Sequence, residues 1–233
     1  FVIFTENDGK ALAEDVKSIY RQSLNDESIA VHFVIGRYLA TFYFRDKEFI
    51  KETLPEIFPK DDPVKKDMYL ASWEGYLSNT LYDKLFAEFK NYYEHAIMLD
   101  PSVYTERKYT RSLDELLATH LALAYANLDL KIGDPLFDLF WKTPNATRHY
   151  EFASFLGRSC LTRDSAGDEW LKENKVSKEK LIEFWNWMLA TDIPIDAKAF
   201  AGFGFWVNPD KEVIDEKIIV KNFRLISLYK NKI

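Results

Sequence analysis

Cysteine is almost missing. Cys160 is the single one in 233 residues, so no disulfide can close within the chain. That composition suits a reducing compartment, and the expected location is cytoplasmic. Glycine and proline are sparse at 8 each, which leaves little material for long loops or tight hairpins. No glycine-rich phosphate loop and no Walker lysine motif is present, so nucleotide chemistry is not expected from these residues. The longest apolar run, Ile29 to Phe44, is interrupted by His32 and Arg37. It falls short of the ~20 residues that cross a bilayer, so a buried core helix is expected and no membrane partner. No basic n-region followed by an apolar h-region opens the chain. It starts at Phe1, not Met, which reads as a piece of a longer protein.

Aromatic residues are abundant: 18 Phe, 13 Tyr and 6 Trp. Each buried ring removes a large apolar area from water, so a well-packed interior is expected. The net charge of -6 opposes binding to a phosphate backbone, which rests on Lys and Arg, without excluding a local basic patch.

The dominant signal is helical periodicity. Leu12, Val16, Ile19 and Tyr20 predict a helix near 10–24, and the run 28–44 is apolar almost all round and reads as central. Asp46 is placed to cap a third helix, which Pro55 should kink or end. Asp62-Pro63 and Asp134-Pro135 each place a capping acid before a proline suited to the first helical position. The stretch 81–99 shows the cleanest two-faced pattern. Ser112 and Glu115 match a capping box, opening a helix at about 113–131 that Gly133 should close. Asn145 should cap a helix to about Leu161. Ser177 should open another, and a short aromatic helix is expected at 197–206. Residues 101–110 and 162–168 read as loops, the first also as a sub-boundary, and the tail from Asp210 as a final helix. The core should hold Trp73, Tyr76, Leu77, Phe86, Phe89, Leu117, Leu121, Phe155 and Trp185. These features predict one all-α domain of about ten stacked helices.

An internal echo suggests its type. Tyr38-Leu39-Ala40 recurs as Tyr76-Leu77-Ser78, and Asp46-Lys47-x-Phe49 as Asp83-Lys84-x-Phe86. Spacings of 37 to 38 residues approach the paired-helix period of HEAT and armadillo superhelices. The stretch Phe44 to Ile97 contains DKEFIKETLPEIFP and YLASWEGYLSNTLYDKLFAEFKNYYEHAI. The far end reads FWNWMLATDIPIDAKAFAGFGFWVNPDKEVID. Together these resemble the helical C-terminal regions of large bacterial and archaeal proteins. Those carry a nucleotide-hydrolysing or sirtuin-like domain upstream and are often suspected in antiviral defence. The resemblance spans most of the chain, includes no catalytic motif, and implies a sensor, scaffold or oligomerisation arm.

Chemistry-bearing residues are scattered. His32, His95, His120 and His149 fall on four different expected helices, without the ligand spacing of a zinc site, so no metal or cofactor is expected. His149 and Cys160 lie three turns apart on one helix, about 16 Å of rise, too far to act together. The carboxylates Glu48, Glu52 and Glu56, or Asp164 and Asp168, are at the density of a solvated helix face. Gly202-Phe203-Gly204 lacks the strand and further glycine of a phosphate cradle. The one patch with ligand-binding character is Arg107, Lys108 and Arg111 interleaved with Tyr104 and Tyr109. This is the residue mixture that contacts phosphate and stacks on bases of single strands, and equally that of a solvated loop. The expected role is a non-catalytic scaffold or interaction module, with upstream domains or another protein as its partner. Nucleic acid is disfavoured by net charge. The alternative is an all-α enzyme around an acidic interior pocket.

Overall fold

A computed structural model describes residues 11–99, 111–160 and 178–206. Among these, every regular element is helical and there is no strand. Eleven α-helices follow in order: α1 (Glu14–Leu24), α2 (Ile29–Arg45), α3 (Lys47–Ile57), α4 (Lys66–Leu77), α5 (Asp83–Glu88), α6 (Lys90–Met98), α7 (Leu113–Asn127), α8 (Pro135–Lys142), α9 (Ala146–Phe155), α10 (Lys178–Ala190) and α11 (Ala197–Ala201). A π-helical turn, Leu156–Cys160, extends α9, and a 3-10 turn, Gly202–Trp206, extends α11. No helix of the described residues is long and apolar enough to cross a membrane. The chain forms two compact units, Phe1–His95 and Ala96–Ile233, divided within α6. The expected loops at 101–110 and 162–168, the start at Ser177 and the tail from Asp210 lie outside the described residues.

In the first unit Asp46 ends α2 and starts α3. Its carboxylate accepts from the Phe49 N–H at 3.1 Å, the Leu12 N–H at 3.1 Å and the Lys17 ammonium at 3.2 Å. Burial works to raise its pKa, but these donors outweigh it and hold the carboxyl below its usual range. Helices α2 and α4 meet almost backbone to backbone. A Cβ at Gly36 would lie 1.9 Å from the Ser72 carbonyl oxygen, and one at Gly75 would lie 2.1 Å from that of Phe33. Phe58, just past α3, is the hub of the core, with the rings of Tyr69, Trp73, Tyr76, Phe89 and Tyr92 all around it at 5.1–6.3 Å.

Three expectations need correction here. The stretch 81–99 is two helices, broken at Phe89 (φ -104, ψ 9), whose N–H is shared between the Leu85 and Phe86 carbonyls. Phe89 is fully buried against Phe58 and Tyr76, and this packing overrides helical propensity. Pro55 does not stop α3, which runs on to Ile57. The echo does not place equivalent residues in equivalent surroundings: Tyr38 is exposed where Tyr76 is buried, and Asp46 caps a helix where Asp83 is already inside one.

In the second unit the capping box of Ser112 and Glu115 is formed in both directions. Helix α7 ends at Asn127, before Gly133. That glycine (φ 87) instead takes the left-handed position of a turn closed by the Asp134 N–H on the Lys131 carbonyl. Pro135 opens α8, but the Asp134 carboxylate accepts from the Lys131 N–H rather than capping the helix. Asn145 caps α9 through the Arg148 N–H, and Asp196 caps α11 through the Lys198 N–H. Lys180 of α10 donates to the last carbonyls of α7, that of Tyr125 at 2.7 Å, and the Tyr125 hydroxyl donates back to the Lys180 carbonyl at 2.6 Å. The core gathers Tyr125, Phe137, Trp141, Phe152 and Phe184. Of the nine expected core residues, Phe155 and Trp185 are only half-buried. Their near neighbours Phe152 and Phe184 hold the inward positions.

Candidate functional site

Helix α9 turns its polar side chains inward. Arg148, His149, Glu151 and Ser154 are all buried, and each meets different surroundings. Arg148 closes a three-helix junction. Its Nε donates to Asp114 Oδ1 at 2.6 Å, Nη1 to the Ile97 carbonyl at 2.6 Å and Nη2 to the Ala96 carbonyl at 3.3 Å. It thereby donates to two carbonyls at the C-terminal end of α6 and ties them to the first turn of α7. Asn145 donates to the second oxygen of Asp114 at 3.2 Å.

His149 faces aromatic surroundings. Its ring stacks on Trp141 at 4.6 Å, and Nε2 lies 3.1 Å from the Phe140 carbonyl. A carbonyl only accepts, so Nε2 carries a proton. Burial lowers the pKa below the usual histidine value, with Arg148 acting in the same sense and the Phe140 carbonyl and Asp196 against it. The ring is therefore neutral near pH 7, and its Nδ1 lone pair is buried without a partner.

Glu151 is the acceptor for two arginines. Arg111, from just ahead of α7, and Arg158, on the π-helical turn, both bring Nη2 to its Oε1, the latter at 2.7 Å. Arg111 also donates to Thr119 Oγ1 at 2.7 Å. The guanidinium of Arg158 stands over the Phe205 ring, 5.4 Å from its centre. Both arginine side chains are 43% exposed, whereas Glu151 is buried. The result is a row from Phe205 through Arg158 and Glu151 to Arg111, with one carboxylate between two cations.

Of the residues singled out in the sequence, Arg111 alone can be placed. Arg107, Lys108, Tyr104 and Tyr109 lie outside the described residues. Arg158, Glu151 and Phe205 were not among them. Glu151 and Arg158 are seven residues apart, two helical turns on one face, and that spacing was the available signal. Phe205 reaches the row only through tertiary packing. Comparison of the chain with family models, curated proteins and solved structures gives no match in any of the three. His149 and Glu151 do not converge: one is held by rings, the other by guanidinium groups. Among the described residues no group of three or more His, Cys, Asp or Glu side chains comes together as metal ligands.

A second surface lies in the first unit. Helix α2 is not enclosed as its composition suggests. His32, Ile35, Gly36, Leu39 and Tyr43 face inward. Ile29, Ala30, Val34, Tyr38, Thr41 and Phe44 are exposed, with Phe44 at 82% and Tyr38 at 55%. Arg37 is the only charged side chain among the exposed residues of the helix, and its guanidinium donates to the Ser78 carbonyl.

Proposed function

We propose that the chain is a non-catalytic helical interaction module of a larger polypeptide, and that the outward face of α2 docks a protein partner. The observation that carries this is the exposed side of α2, where Ile29, Ala30, Val34, Tyr38 and Phe44 outnumber Arg37 and Thr41. Large apolar side chains gathered on the exposed side of one helix mark a contact surface. Tyr38 and Phe44 are the residue types that anchor such contacts, being large, stiff and amphipathic or apolar. Arg37 supplies the one charge, so the matching partner is an apolar helix or sheet face carrying an acid beside its apolar residues.

The test begins with photo-crosslinkers placed at Tyr38 and Phe44, with exposed Glu48 of α3 as the control position. A protein captured at the first two positions and not at the third is then purified and titrated against the parent chain and Phe44→Glu. Placing a charge in a desolvated apolar contact should weaken binding by a factor of ten or more, while circular dichroism shows the same helix content. Capture independent of position, or equal affinity for the parent and Phe44→Glu, overturns the proposal.

A further inference from the structure

We infer that the Arg111–Arg158–Phe205 row of the second unit binds single-stranded nucleic acid. This goes beyond the α2 surface, uses a different unit, and stands or falls independently. One guanidinium is enough to neutralise Glu151, yet two meet its Oε1. The row therefore carries a net positive charge. Each guanidinium offers five N–H donors. Arg111 uses Nη2 on Glu151 and Thr119, and Arg158 uses Nη2 on Glu151, and each side chain remains 43% exposed. The buried carboxylate holds both cations in place, so little conformational freedom remains to be lost when a phosphate arrives. Planar forks fixed in this way suit bidentate contact with phosphate oxygens.

Phe205 decides between kinds of phosphate ligand. Its ring is 42% exposed and lies directly under the Arg158 guanidinium. An exposed ring beside a phosphate-directed cation offers a platform for an unpaired base, which a duplex keeps stacked inside. The overall charge of -6 does not cancel this, because salt screens charges more than about 8–10 Å away.

The experiment is fluorescence anisotropy with a labelled single-stranded oligonucleotide of about 12 nucleotides and its duplex, over a series of salt concentrations. The parent should bind the single strand more tightly than the duplex. Its plot of log affinity against log salt should have a slope of about -1.4 or steeper, reflecting two phosphate contacts. Arg158→Ala should weaken binding and flatten the slope by about 0.7. Arg158→Lys should keep the slope and lose part of the affinity. Phe205→Ala should weaken binding roughly tenfold and leave the slope unchanged. Glu151→Gln should tighten binding, because the row gains one unit of positive charge while the amide oxygen still accepts from a guanidinium and keeps it in place. A merely structural Glu151 pair would not give that sign. Absence of binding at low salt, parent-like affinity and slope in Arg158→Ala, or equal affinity for duplex and single strand overturns the assignment. So does inorganic phosphate protecting Arg158 from arginine-directed modification where the oligonucleotide does not, which would make the row a site for a free oxyanion.

Discussion

Replacing Arg148 by Met removes the guanidinium while keeping most of the side-chain volume. Three acceptors then lose the guanidinium at once: Asp114 Oδ1 and the carbonyls of Ile97 and Ala96. Breaking a buried pair by removing one partner costs about 3–5 kcal/mol, because the other charge is left uncompensated. That range is expected for Arg148→Met in equilibrium urea denaturation followed by far-ultraviolet circular dichroism. The double variant Arg148→Met with Asp114→Leu separates the two jobs of the arginine. Removing both charges should recover most of the ion-pair loss. The Ile97 carbonyl would remain without the Nη1 donor that stands 2.6 Å from it, leaving a residual loss of about 1–3 kcal/mol. Arg148→Lys should fall between parent and Met, since an ammonium cannot serve all three acceptors with the geometry of a fork. A loss below about 1 kcal/mol for Arg148→Met, the scale of an exposed-site change, would refute the three-helix junction. Full recovery in the double variant would refute its carbonyl-capping half.

Two further outcomes follow from the packing and the charges. Gly36→Ala sets a methyl group 1.9 Å from the Ser72 carbonyl oxygen, a backbone atom that moves only if α2 and α4 separate; the same denaturation assay should show a loss of about 3 kcal/mol, the upper end of overpacking. Because the folded chain depresses the His149 pKa, the unfolded chain binds more protons below about pH 6.5, so stability should fall as pH drops through that value. His149→Phe should reduce this part of the pH profile, with His95, also lowered by burial, supplying the rest, and leave a later loss below about pH 4 as Asp46 and Glu88, whose pKa values are lowered, become protonated.

Much of the fold was legible because it depends on local rules. Capping at Asp46, Ser112–Glu115 and Asn145 needs only a side chain and an N–H within three residues, and each formed as its spacing implied. Asp134 and Gly133 differ locally, serving the turn ahead of α8; the larger errors lie where distant residues decide. Phe89 leaves helical geometry because the ring of Phe58, 31 residues earlier, packs against it. The apolar run 29–44 gave no sign of which half stays uncovered, since composition is blind to what packs alongside. The candidate site shows the same division. Arg111 stood out beside other basic and aromatic residues. Its partner Glu151, 40 residues on, and the Arg158–Phe205 pair appear only once α9, its π-helical turn and the 3-10 turn after α11 are folded together. Nothing in the sequence sets Arg148 apart, and only the junction of α6, α7 and α9 explains why it is buried.

Amide hydrogen exchange of the chain, alone and in complex with the protein captured through α2, tests the interaction-module reading most directly. Binding should slow exchange most in Ile29–Arg45, with the effect lost when Phe44→Glu is used in place of the parent. Identical exchange of α2 in the free and bound chain, with protection confined to other helices, would contradict it.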